Sequence, residues 1–192
     1  MDKLSVTDLM PLEQYARERP GFRTRVLQHK ELRKLTVGPN ATWLFEDRLT
    51  VQYQVQEMLR TERIFEPEGI AEELGAYNPL IPDGSNWKVT LLLEYEPTER
   101  PAALARLRGV EHRCFVQVDG SERVFGIADE DLPRENAEKT SAVHFLRFEL
   151  QPPMIAALRA GAALSAGIDH EHYRYALALS APARAALLAD LS

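Results

Sequence analysis

The sequence predicts an α+β fold, a mainly antiparallel sheet with a helical N-terminal region and helices packed on the sheet. Three observations carry that prediction. Helical signals fill the first 80 residues, the hydrophobic period switches to two at Trp87, and the later strands are joined by hairpins and single helices without regular βα alternation. A chain of 192 residues with 45% hydrophobic and 27% charged side chains has enough apolar material for a packed core. One domain over residues 1–192 is expected, with a helical part over 1–80 and a sheet-rich part over 81–192.

Taken in order, Thr7 or Asp8 can cap a first helix with Pro11 in its first turn, and Pro20-Gly21 is expected to divide it from a second short helix over 22–34. Two short strands follow, 35–37 and 42–45, around a turn at Gly38-Pro39-Asn40. Asp47 caps a long helix over 48–65, and Pro67 opens a shorter one that Gly75 can close. Two prolines and an Asp-Gly pair make 78–86 the passage into the sheet. There Trp87, Val89, Leu91, Leu93 and Tyr95 alternate with Lys88, Thr90, Leu92 and Glu94, the pattern of a half-buried strand. Residues 98–108 read as a helix ended by Gly109, and 114–118 pairs with 124–128 across Asp119-Gly120. A strand over 141–150, a helix from Pro152-Pro153 to Gly161, strands over 162–168 and 173–179, and a helix over 182–191 complete the chain.

Charge and composition exclude several functions. A formal charge of −6 argues against broad attraction to nucleic acid or anionic lipid. The basic side chains of the first 34 residues are interleaved with Glu13, Glu18 and Glu31, as on a solvated helix face. No run approaches the ~20 apolar residues that cross a bilayer, the opening residues lack a signal peptide's pattern, and a single cysteine fits a reducing compartment. A cytoplasmic protein is therefore expected. Cys114 sits in a strand-like run as a buried, inert thiol. Asp169-His170-Glu171-His172 reads as an exposed turn, with no third ligand at a metal-site spacing, and no metal is assigned to it. Phosphate-binding and dinucleotide-binding glycine patterns and the nucleophile elbow are all missing.

Chemistry is expected on the helix over 48–65. At about 100° per residue, Val51, Val55, Met58 and Phe65 form one apolar stripe with Glu62 in its middle, while Leu49, Tyr53 and Ile64 form another with Arg60 between them. A helix with two apolar faces is expected inside the core, so Glu62 and Arg60 would lose water and need partners. Gln52, Gln56 and Arg63 make a polar ridge between the stripes. The plainer reading is that these groups dock the helix. The functional reading is that they line a pocket for a small polar or anionic ligand, with Arg60 or Arg63 offering the forked donor that suits carboxylate or phosphate. His144 is the remaining candidate, on the apolar strand face of Ala142, Leu146 and Phe148. It reads either as a hydrogen-bonded core residue or as an acid/base with Glu57 or Glu62.

Four runs, FEDRLTVQYQVQEMLRTERI (45–64), AYNPLIPD (76–83), SAVHFLRFEL (141–150) and GAALSAGIDH (161–170), together resemble the bacterial family known as domain of unknown function 3501. The likeness covers nearly the whole chain. It implies an association with redox or iron handling, beside rubrerythrin-like and iron-sulfur proteins, and a protein partner in such a system. The chain has neither the cysteine set of an iron-sulfur cluster nor the repeated Glu-x-x-His helices of a di-iron bundle. The leading expectation is an accessory or ligand-binding protein. The rivals are a small enzyme using His144 with Glu57 or Glu62, and a structural partner or homodimer.

Overall fold

The computed structural model describes residues 2–131, 134, 136 and 138–192. A 3-10 turn, Val6–Asp8, leads into α1 (Leu12–Glu31), which runs through Pro20-Gly21 instead of breaking into two helices. An interior proline costs a helix roughly 3 kcal/mol, and tertiary packing offsets it. Tyr15, Phe22 and Val26, at i, i+7 and i+11, are buried against Leu49 and Tyr53, with the Phe22 ring 6.0 Å from both tyrosine rings.

The expected hairpin forms between β1 (Lys34–Val37) and β2 (Ala41–Glu46). Gly38 is required at its turn: φ is +73°, and a Cβ would lie 2.5 Å from the Tyr175 ring. Asp47 caps α2 (Arg48–Glu62), its Oδ1 accepting from the Leu49 and Thr50 amides at 3.1 and 2.9 Å. The helix stops short of the predicted 65 because Arg63 turns left-handed and the Ile64 amide donates back to Leu59 O at 2.9 Å. That closure folds Ile64 into the cluster of Leu59, Leu74 and Ile81 and leaves Phe65 62% exposed.

The chain continues through α3 (Pro67–Tyr77), a 3-10 turn Asn78–Leu80, β3 (Asn86–Leu93), α4 (Arg100–Arg106), a 3-10 turn Val110–Arg113 and β4 (Cys114–Val118). Then come β5 (Val124–Phe125), β6 (Ile127–Ala128), β7 (Val143–Glu149), α5 (Pro152–Arg159), β8 (Leu164–His170), β9 (Tyr173–Ala178) and α6 (Ala181–Leu188). Among the described residues the strands form two antiparallel sheets, β1-β2-β3-β7-β6 and β5-β4-β8-β9. The strand predicted over 124–128 is therefore shared between sheets. Val124 and Phe125 pair with Val116 and Phe115, whereas Ile127 and Ala128 pair with Arg147 and Leu146. Gly126 makes the crossing, and a Cβ there would crowd the Phe148 ring at 3.3 Å. Away from it, the Tyr173 hydroxyl ties the smaller sheet to the β1–β2 turn, donating to Val37 O at 2.7 Å and accepting from the Asn40 amide at 2.9 Å.

The main core lies between the sheets. Alternate residues of the larger sheet, including Trp43, Trp87, Leu91, Leu146 and Phe148, meet Val116, Leu164 and Ile168 of the smaller one. Trp43 stacks on Phe148 at 5.4 Å and Phe45 meets Trp87 edge-on at 6.0 Å. The opposite face of β2 and β3 carries Glu46 and Thr90, and α2 docks there: the Thr50 hydroxyl donates to Glu46 Oε2 at 2.5 Å and the Thr90 hydroxyl to Oε1 at 2.6 Å. Burial pushes the Glu46 carboxyl up, and the two hydroxyls pull it back. Among the described residues no helix is long and apolar enough to cross a membrane.

α1 is fastened to α2 by Glu57, which accepts from the Tyr15 hydroxyl at 2.6 Å and from both prongs of Arg19 at 2.7 Å. Arg19 holds the Glu57 carboxyl down to about 2, against 4.5 for a free glutamate. The unfolded chain thus takes up this proton first, and the contribution is complete above pH 4.5 and lost as pH falls toward 2. The pair is partly exposed, so about 2 kcal/mol is expected after screening. Urea melts of Glu57→Gln between pH 7 and pH 3 should show a lower midpoint at neutral pH, a gap that closes on acidification.

Candidate functional site

The polar residues predicted on α2 divide into two groups. Gln52 and Gln56 face inward and hold the N-terminal segment. Gln52 Nε2 donates to Asp8 O at 2.5 Å, and Gln56 brackets Met10, accepting from its amide at 2.6 Å and donating to its carbonyl at 3.3 Å. Arg60, Glu62 and Arg63 are exposed, which overturns the expected loss of water at Arg60 and Glu62. The reason is the left-handed closure at Arg63, which removes the last predicted turn and leaves these side chains past the end of the buried stripe.

His144 is fully buried on the core face of β7, as strand alternation predicts. It meets neither Glu57 nor Glu62. Glu57 is held by Tyr15 and Arg19, Glu62 is exposed, and α2 docks on the sheet face opposite the one from which His144 projects. The histidine's partners come from elsewhere. Its Nδ1–H donates to Asp129 Oδ2 at 2.6 Å, while Nε2 lies 2.9 Å from the Thr140 hydroxyl and 3.1 Å from Ser141 O. Thr140 in turn donates to Glu111 Oε2 at 3.2 Å. Asp129 adopts a left-handed conformation at φ 49°, and its Oδ1 accepts from the Phe145 amide at 3.0 Å and from Arg134 at 3.2 Å. A hydroxyl, an imidazole and a carboxylate in sequence have the order of an acyl-transfer relay. Thr140 is 1% exposed and His144 0%, and in this structure the chain of groups forms an internal brace.

The remaining sequence candidates are structural. His170 Nε2–H donates to Arg108 O at 3.0 Å and Nδ1 accepts from the His172 amide at 3.2 Å. The expected exposed turn is confined to Glu171-His172, because Asp169 and His170 pair with Arg174 and Tyr173 at the end of β8 and His170 is buried. Cys114 is buried with its thiol toward Val110 O at 3.4 Å, and burial raises it far from the thiolate. Among the described residues no three His, Cys, Asp or Glu side chains converge as a metal site would require.

On the outer side of this brace lies a cavity of about 280 Å³ between α3, the turn after it and the outer face of β3 and β7. Tyr77, Pro79, Leu80 and Phe145 give it an apolar wall, and Lys88, Glu130, Arg134 and Arg147 give it charge. The Arg147 fork grips Glu130 at 2.9 and 2.8 Å and reaches Glu149 at 2.7 Å. Arg134 is carried 4.6 Å over the Phe145 ring and bonds Asp131 and Asp129, which connects the cavity to the His144 brace. Lys88 is different. Its side chain is only 13% exposed, Asp83 stands 3.8 Å away, and among the described residues Nζ makes no hydrogen bond. Register places it directly across from Arg147, and like charges so placed are unfavourable. Burial lowers the Lys88 ammonium from the usual lysine range, Asp83 opposing and Arg147 adding to the fall. The period-two pattern shows Lys88 pointing away from the core, but its facing arginine depends on a pairing with a strand more than fifty residues later, so sequence reasoning missed it.

These features define a two-sheet α+β protein with a charged cavity beneath a helical layer and a sealed histidine–carboxylate brace behind it. The chain belongs to the family described as protein of unknown function (DUF3501), whose model matches residues 3–191. The crystal structure, at 1.90 Å resolution, of a novel protein of unknown function from Burkholderia pseudomallei K96243 is similar to it, with 51% identity, a TM-score of 0.95 and 100% of each chain covered. A search of curated proteins found no match.

Replacing His144 by alanine should leave Asp129 and Glu111 buried without their common partner and cost about 3–5 kcal/mol in urea-induced unfolding. Arg60→Ala, at an exposed site, should change stability by less than about 0.5 kcal/mol in the same assay.

Proposed function

We propose that this protein binds a small organic anion in the cavity under α3, acting as a ligand-binding accessory protein of the cytoplasm. The observation that carries this reading is Lys88, whose side chain is 13% exposed and whose ammonium stands on the cavity wall with Asp83 at 3.8 Å and no hydrogen bond among the described residues. An anion in the cavity would give this ammonium a charge-assisted hydrogen bond in a place shielded from most of the solvent. Arg147 has five N–H donors, of which three are engaged by Glu130 and Glu149, so it too retains capacity for a ligand oxygen. The wall of Tyr77, Pro79, Leu80 and Phe145 would cover an apolar body of modest size, since about 280 Å³ lies at the lower end of ligand cavities.

The resemblance adds a setting, redox or iron handling, in which such a protein would carry or sense a small metabolite for a partner. That association is a proposal from kinship alone. The residues first expected to form the site contribute unequally to this reading. Gln52 and Gln56 hold the N-terminal segment, Arg60, Glu62 and Arg63 are exposed on another surface, and His144 supports the cavity from behind through Asp129 and Arg134.

Ligand-observed NMR with acetate, butyrate, benzoate and pyruvate tests the proposal. At least one should bind with Kd near or below about 1 mM. Lys88→Met should weaken that binding about tenfold, as expected for loss of one charge-assisted hydrogen bond, and Leu80→Trp, which fills the cavity, should abolish it. Binding that survives Leu80→Trp unchanged, or a panel without any binder, would sink the reading.

A further inference from the structure

A lysine whose ammonium is well solvated and firmly paired stays protonated and acts as a point charge. Lys88 has the opposite surroundings. It springs from the middle of the larger sheet on β3, its stem is covered by the cavity wall, and a guanidinium faces it from the paired strand. Charged groups of both signs bear on it: Asp83 and Glu130 attract the ammonium, while Arg147 and Lys3 repel it. Asp83 is shared between two lysines, with its Oδ2 3.8 Å from Lys88 Nζ and its Oδ1 accepting from Lys3 at 2.7 Å, and Glu130 is gripped by both prongs of Arg147. An amine shielded from most of the solvent with a cation next to it is an arrangement that favours the neutral lysine, a nucleophile toward carbonyl carbon.

Building on the anion-binding reading, we infer that Lys88 condenses reversibly with the carbonyl group of a small 2-oxo acid, whose carboxylate is held on the Arg147 side of the cavity and whose tail lies against Leu80 and Phe145. The balance is simple. The ammonium gives one proton to solvent, and the nitrogen lone pair attacks the carbonyl carbon as the C=O π pair moves to oxygen. The nitrogen then gives a proton to solvent and the oxygen takes one, which makes the carbinolamine. A further solvent proton lets that oxygen leave as water while the nitrogen lone pair forms the C=N bond, and the remaining N–H proton returns to solvent. One amine and one ketone give one imine and one water, with no change of oxidation state. Such an adduct would retain the ligand more firmly than ion pairing in a site of this size, and water would release it again.

The test uses the full chain incubated with pyruvate or phenylpyruvate and sodium cyanoborohydride, which reduces an imine to a stable secondary amine. Intact mass and peptide mapping then locate the adduct. The expected result is one adduct per chain, on Lys88, formed at least tenfold faster than on Lys3, Lys30, Lys34 or Lys139. Lys88→Arg, which keeps the charge, should bind the acid by NMR yet form no adduct, and Leu80→Trp should prevent the adduct while Lys88 remains. Thermal melts of both variants check that they fold. Labelling spread evenly over the lysines, no adduct at all, or an adduct that persists in Leu80→Trp would overturn the inference. If pyruvate binding by NMR survives such a result, the imine fails and the anion-binding reading stands, whereas loss of both removes the two together.

Discussion

Two antiparallel strands, β3 and β7, pair in a register that sets Trp87 beside Phe148, Lys88 beside Arg147 and Val89 beside Leu146. Because side chains alternate across a strand, this one pairing builds both faces of the larger sheet. Its inner face presents aromatic and aliphatic groups, with His144 among them, to the smaller sheet. Its outer face sets two cations side by side under the helical layer. A slip of one residue would place Lys88 in the core and Trp87 in water, so burial of the tryptophan is what holds the charged pair in place. The cost of two like charges facing each other is carried by the core behind them.

Buried polar groups elsewhere in the molecule act as fasteners between layers. Glu46 receives hydroxyl donors from α2 and from β3 and so fixes where the helix rests on the sheet. Arg33, 2% exposed, donates to the carbonyls of Phe45 and Glu46 and forms an ion pair with Asp190, which draws the C-terminal segment against the sheet. Asp47 caps α2 while accepting from His29 Nε2–H at 2.5 Å, joining both long helices at one carboxylate. Such pairs add little net stability over apolar packing, but removing one partner is expensive, and they fix relative orientation for that reason. The His144 brace follows the same logic, holding Asp129, and through it Arg134 and Phe145, at the edge of the cavity.

Much of the fold was legible in the chain. The β1–β2 hairpin, the capped α2, the switch to period two at Trp87 and the helix after Pro152-Pro153 all follow from local chemistry. The departures have specific causes. Local chemistry predicts a break at Pro20, but the aromatic contacts of Phe22 outweigh its cost. The pattern over 124–128 predicts one strand of one hairpin, but Gly126 lets the segment pass from one sheet to the other. At the candidate site the amphipathic pattern sets Gln52, Gln56 and Arg63 on one polar ridge, of which the two glutamines turn inward and Arg63 is exposed, and it misjudges Arg60 and Glu62 because it carries no sign of the left-handed residue that ends the helix.

By itself the sequence determined the class of fold, the faces of its strands and the burial of His144, since each depends on propensity and periodicity within a few residues. Only the tertiary structure decided what His144 touches, where α2 ends relative to its neighbours, and that Lys88 and Arg147 share a cavity with Tyr77 and Leu80. Those facts depend on contacts between residues far apart in the chain. Such contacts are set by how the sheets and helices pack as whole bodies, and no local pattern records the outcome.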